Sequence, residues 1–362
     1  MSGPISVQAS VSKAWLHQEG GFDFDAAYYR DPLVRRERDL ACAAFVRRRF
    51  PHYPVYHMED NLVQARFVAP NQLLVGAIQP NLIIAAALGA DFVVAADKDS
   101  DVAGYPLRDL ASAGDLPSVA AVLDLPLIAE LGEQVTRYRR ERPDLRVIPP
   151  FFWDTSGRAT IHGIVTTALK FMGPDIFLLM LEDPGLVHAV HGWIADVYTA
   201  VVRHFSALGD LPVTSVHVGE CAGTMLGGEQ YREFVTPYAS RLGREFGALR
   251  LHSCGHADHV LDAIADIEGL AVIDTGSDTS VAAIRRRLGP DFAVNVFPPL
   301  RVLRAEADAA AMAEWLDHTL SDNANGPLQL AYHLEPDYNE SNCAYLHEEL
   351  ARRGLVDLGR LY

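Results

Sequence analysis

From about residue 145 onward, short apolar runs alternate with longer stretches whose apolar positions recur at helical spacing. Runs rich in β-branched residues cover 146–149, 213–218, 249–252, 270–274, 292–296 and 328–332. Between them, 161–171, 184–208, 229–246, 256–267, 281–288, 305–320 and 343–354 carry helical patterns. Pro184, just after Glu182 and Asp183, suits the first position of a helix, where its missing N–H costs nothing. Strands that alternate with helices predict a parallel sheet. A (β/α)8 TIM barrel fits this length better than a doubly wound sheet, because no glycine motif of phosphate-cradling spacing occurs. Gly20-Gly21 and Gly227-Gly228 lack that spacing.

The N-terminal part reads differently. Residues 23–50 are helical and charge-rich, with Leu33, Val34, Leu40, Phe45 and Val46 at roughly helical spacing, and Pro51 to Pro54 end the pattern. We expect a helical extension over 1–60 and a single barrel over 61–362, with the extension packed on the barrel, capping its pocket or joining a homodimer. No solenoid repeat is present. The most apolar run, 82–96, is broken by Asp91 and too short to span a membrane. The first 18 residues lack a signal-peptide pattern, so the expected location is cytoplasmic.

Charge and cysteine content narrow the function. The chain of 362 residues has 47 acidic and 31 basic side chains, a net charge of −16, which disfavours a nucleic-acid partner. Four cysteines, Cys42, Cys221, Cys254 and Cys343, are too few for a disulfide framework in a chain this long. Lys13, Lys98 and Lys170 are the only lysines, which leaves few candidates for Schiff-base chemistry and favours arginine for anion binding.

The candidate chemistry clusters after the expected strands, where a (β/α)8 barrel carries its active site. In the run 251–256, His252 and Cys254 are two apart and point the same way if the strand persists. Imidazole and thiolate together suit zinc; a buried cysteine beside a capping histidine is the plainer account. The run 213–222 ends in Glu220 and Cys221, either metal ligands or a helix-terminal acid and a packing thiol. Tyr332, His333 and Glu335 follow the last strand, and Cys343 sits where the last helix begins. Trp153 and Asp154 follow Phe151-Phe152 and could meet a flat or hydrophobic ligand, or Asp154 or Ser156 could simply cap a helix. Glu59 and Asn61 mark a polar edge after 54–57 that is a pocket rim or a solvated turn.

At this point the chain resembles the uroporphyrinogen decarboxylase superfamily over roughly residues 145–350, with a poor match before residue 140. The resemblance is carried by 177–188 (Phe-Leu-Leu-Met-Leu-Glu-Asp-Pro-Gly-Leu-Val-His), by 229–238 (Glu-Gln-Tyr-Arg-Glu-Phe-Val-Thr-Pro-Tyr), by His252-Ser253-Cys254-Gly255-His256 and by 295–298. It implies a (β/α)8 barrel and either a decarboxylase or a zinc-dependent methyltransferase that works with a corrinoid protein. The arginine-rich substrate motif of the decarboxylases is missing: the corresponding run, 54–60, reads Pro-Val-Tyr-His-Met-Glu-Asp. A polycarboxylate tetrapyrrole needs such charge.

The resemblance therefore implies the methyltransferase branch. Its signature is His-x-Cys, matched by His252 and Cys254, followed much later by a cysteine. Either Cys343 fills that late position or His333 has replaced it. Glu220, doubling as a catalytic group, is the candidate for the remaining zinc position, with Cys221 as its substitute. Asp154 is the second catalytic candidate. Glu59, Asn61, Trp153, Asp154, Asp274, Asn295, Tyr332 and His333 are the expected substrate-binding residues. The expected reaction moves a methyl group between a small substrate (a thiol, or a methoxy or methylamine compound) and a corrinoid held by a separate protein. The alternative is a metal-independent decarboxylase or other lyase on the same barrel, acting on a small carboxylate.

Overall fold

The computed structural model describes residues 5–53, 55–56, 70–276 and 278–357. Its strands are β1 (Ile5–Val11), β2 (Val55–Tyr56), β3 (Gln72–Leu74), β4 (Asp91–Ala95), β5 (Lys98–Ala103), β6 (Arg146–Ile148), β7 (Arg158–His162), β8 (Ser215–Gly219), β9 (Ala248–Ser253), β10 (Leu270–Thr275), β11 (Ala293–Val296) and β12 (Leu328–Leu334). Eight of them form one parallel sheet in the order β2-β1-β12-β11-β10-β9-β8-β7. β3 and β6 pair separately in parallel, and β4 and β5 form an antiparallel hairpin. Helices separate the strands from β7 onward, so the architecture is the expected α/β barrel type.

The strand sequences explain which face is which. On β8, Val216 and Val218 alternate with Ser215, His217 and Gly219; on β9, Leu249 and Leu251 alternate with Arg250 and His252. Side chains two apart share a face. The aliphatic set is fully buried with Ile273 and Val294 in the core cluster, and the helix Thr236–Phe246 packs on β8 and β9. The polar set from successive strands therefore shares the opposite, inner wall. In register across that wall stand Gly219, His252, Asp274, Asn295 and Gln329. One alternation thus builds both the packing layer and a polar lining.

Several boundaries differ from the expected ones for physical reasons. β1 pairs along its whole length with β12 inside the eight-stranded sheet. The division expected at residue 60 lies outside the described residues. The helix expected over 229–246 is two, Gly228–Phe234 and Thr236–Phe246, because Pro237 cannot continue the first and opens the second. Over 256–267 only a short 3-10 turn, Asp258–Val260, and the helix Leu261–Ala265 form. The long helix Pro184–Gly209 begins as expected, and Asp183 caps it by accepting from the Leu186 N–H. No single helix among the described residues is long and apolar enough to cross a membrane.

Candidate metal centre

β8 and β9 end side by side, with Gly219 opposite His252. Two residues beyond that pair lie Cys221 and Cys254. Their Sγ atoms are 3.0 Å apart, and His252 Nε2 is 3.0 Å from Cys254 Sγ. One donor atom from each of Cys221, His252 and Cys254 lies within 4.8 Å of the other two, and this is the one such His/Cys/Asp/Glu group among the described residues. His252 and Cys254 converge because extension persists through Ser253, as their spacing requires.

A charged file stands behind the imidazole. His252 Nδ1 is 3.3 Å from Asp274 Oδ2, and Arg250 Nη2 donates to the same oxygen at 2.7 Å. Asp274 is fully buried. Burial pushes its pKa up, but the charges of Arg250 and His252 outweigh that and hold it below the ordinary carboxylate value. Burial lowers the pKa of His252, and the Asp274 carboxylate more than reverses this. Asp274 thus favours positive charge at His252, whether from a proton or from a metal on Nε2. The two thiols share one easily lost proton: the Cys254 S–H, with His252, pulls the Cys221 pKa down to about 4, while Cys254 is pushed up in turn.

The cluster opens into a cavity of about 590 Å³. Phe297, Pro298 and Leu303 give it an apolar wall, and Asp278, Arg301 and His333 add polar groups. His333 is anchored by Ser10 Oγ, 2.7 Å from its Nδ1, and burial lowers its pKa to about 4.

Other expected site residues fall elsewhere. Glu220 is buried but turned from the cluster. Its carboxylate accepts from Val165 N–H (3.1 Å), Thr166 N–H (2.9 Å) and Thr166 Oγ1 (2.8 Å), which closes the start of the helix Ile164–Met172. Burial pushes its pKa up to about 7, and those three donors pull it the other way. The Glu220 carboxylate is thus held at the start of that helix, and it is not among the donor atoms that meet at Cys221, His252 and Cys254. Gly163 makes room for it, since a Cβ there would lie 2.2 Å from Glu220 Oε2.

Cys343 does not join the cluster either. It is buried in the helix Glu340–Arg352, which packs on β12, and burial pushes its thiol up to about 12. Tyr332 points to that same helix, where its O–H meets His347 Nε2 at 2.9 Å, because it alternates with the inward-facing His333. Asp154 precedes β7, at the opposite end of the strand from the cluster. Its Oδ1 accepts from Ser156 N–H at 2.7 Å, a turn cap, and Trp153 lies beside it under the Arg35 guanidinium. Asn295 stands next to Asp274 on the inner wall. Glu59 and Asn61 lie outside the described residues. The sequence reading held Cys221 only in reserve and missed Arg250; the two-residue spacing of Arg250, His252 and Cys254 was the signal for the latter.

The fold and this cluster define an α/β-barrel protein whose strand ends present a thiolate–imidazole donor set. The family model for uroporphyrinogen decarboxylase (URO-D) matches residues 79–308, and the chain belongs to that family. The match begins well before the segments that carried the resemblance. Among solved structures, a methyltransferase from Methanosarcina mazei aligns over 97% of this chain and 94% of that chain, with TM-score 0.60 and 14% identity, a likeness of fold. Bee venom hyaluronidase in complex with a hyaluronic acid tetramer aligns over 96% of each chain at TM-score 0.33 and 7% identity, too low to carry an argument. No curated protein matches.

Proposed function

We propose that this protein is a zinc-dependent methyltransferase acting on a small substrate, with a corrinoid carried by a separate protein as the other party to the transfer. The observation that carries the reading is the convergence of Cys221, His252 and Cys254, the last two lining the cavity. Two thiolates and one imidazole are a donor set zinc favours, and three protein ligands leave a position for substrate. The carboxylate behind His252 is the partner that metal-bound histidines commonly have. When bound, zinc would act as a Lewis acid, either making a substrate thiol nucleophilic or polarising an ether or amine leaving group.

The chain's own residues divide the remaining work. Arg250 holds Asp274, and Asp274 fixes the face of His252. Phe297, Pro298 and Leu303 exclude water from one side of the cavity and favour an apolar substrate body. His333, kept neutral by burial, can donate or accept one hydrogen bond with the substrate from across the cavity. The family's other chemistry, decarboxylation, has no observation of its own in this cavity.

Zinc content tests the reading. The purified protein should hold about one equivalent of zinc, and Cys221→Ser, His252→Ala and Cys254→Ser should each fall below about half, while Cys343→Ser should keep it. Methylcobalamin with a panel of thiols, followed by cobalamin absorbance, should show transfer that chelation abolishes. Full turnover of a small carboxylate after chelation would favour the lyase instead.

A further inference from the structure

The two cysteines of the cluster do more than the methyl-transfer reading asks of them. They follow the ends of neighbouring parallel strands, each two residues beyond the paired positions Gly219 and His252. Their Sγ atoms already lie 3.0 Å from each other, about 1 Å beyond bonding distance. Cys254 is exposed and lines the open cavity, with the half-buried Cys221 beside it, so an oxidant can reach the pair. Cys42 and Cys343 are buried in separate helices and offer no competing partner.

We propose that Cys221 and Cys254 form a reversible disulfide that switches the metal centre off under oxidising conditions. With hydrogen peroxide as oxidant, one of the two sulfurs attacks as its thiolate on a peroxide oxygen, the O–O bond breaks, and a sulfenic acid and one water form. The other cysteine then attacks that sulfur, the S–O bond breaks, and a second water leaves as the S–S bond forms. Two thiols are oxidised and one peroxide is reduced. A disulfide sulfur is no longer a thiolate ligand, so the same event removes two of three donors. A dithiol reverses it by exchange.

This rests on the metal reading only for its consequence, and the experiment separates the two. Metal-free and zinc-loaded full-length protein are treated with hydrogen peroxide, then assayed for free thiols, intact mass, cross-linked peptides and released zinc. The expected result is loss of two of the four thiols, a mass lower by two hydrogens, and a peptide joining Cys221 to Cys254, all restored by dithiothreitol. The zinc-loaded sample should react more slowly and release its zinc as the cross-link forms. Cys221→Ser should leave no cross-link and carry Cys254 on to irreversible oxygenated products, whereas Cys343→Ser should behave as the parent. Over-oxidation of Cys254 without a cross-link in the parent protein, or a cross-link to Cys42 or Cys343, overturns the proposal. A reversible Cys221–Cys254 cross-link in a protein that binds no zinc sustains the switch and sinks the metal reading.

Discussion

Asp274 touches no solvent, yet two of the site's cations depend on it: its Oδ2 serves both Arg250 and His252. Asp274→Asn keeps the volume and removes the charge. It should weaken zinc affinity about 10–100-fold, read by competition with a chelator, because an imidazole without a carboxylate behind it is a poorer ligand. It should also destabilise the fold by about 3–5 kcal/mol in denaturant unfolding, since Arg250 stays buried without its charge partner. Unchanged zinc affinity would mean that Asp274 serves Arg250 alone. Gly163 makes a second residue-scale test. A methyl group there meets the Glu220 carboxylate at 2.2 Å, so Gly163→Ala should cost about 1–3 kcal/mol in the unfolding midpoint while leaving zinc content near that of the parent. A large loss of zinc at full stability would instead return Glu220 to the metal site.

At the scale of elements, the outer aliphatic row does the packing. Leu251 is fully buried between β9 and the helix layer, one residue from His252 but on the opposite face. Leu251→Ala should lose about 2–5 kcal/mol of stability, with zinc stoichiometry held as long as the protein stays folded. The strands from β8 to β12 were legible as short aliphatic runs carrying polar residues, each followed by a stretch of helical spacing. β1 and β7 were not. Ile5–Val11 alternates aliphatic residues with Ser and Gln as strictly as the later strands, but its full-length partner β12 lies at the other end of the chain, so no element next to it in sequence marks it as a barrel strand. Arg158–His162 is five residues long and leads almost directly into the helix Ile164–Met172, so the helical pattern absorbed it. Pro237 was visible, but whether a proline kinks, ends or restarts a helix is decided by packing. The site was half legible for a related reason. The spacing of His252 and Cys254 fixes their convergence within one strand, whereas Cys221, Glu220 and Cys343 depend on registers between elements that no local pattern records. Local rules did describe Asp154 as a capping group.

Over the whole molecule, buried histidines set the acid limit. Burial lowers the pKa values of His191, His333 and His347 to about 4, against 6.5 in the unfolded chain. Between those values the unfolded state binds protons that the folded state refuses, so their contribution to stability is complete above pH 6.5 and falls as the pH drops toward 4. Glu220, with its pKa raised to about 7, works the other way between pH 4.5 and 7, but it is one group against three. The urea midpoint should therefore fall steadily from pH 7 to pH 5. A flat profile would mean that these imidazoles accept protons in the folded state.

The separation of the two strand faces has a consequence for descent as well as for stability. Apart from the buried Arg250–Asp274 pair, residues on the inner wall carry polar groups and ligands but few of the contacts that hold the sheet to its helices. The identities of those others can drift without unfolding the protein, while the outer row constrains the backbone that aims them. A barrel built this way can exchange one ligand set for another, a thiolate on β8 for one after β12, with the scaffold unaltered. Relatives of this chain should then differ most at positions such as 221 and 333, and least along the aliphatic rows behind them.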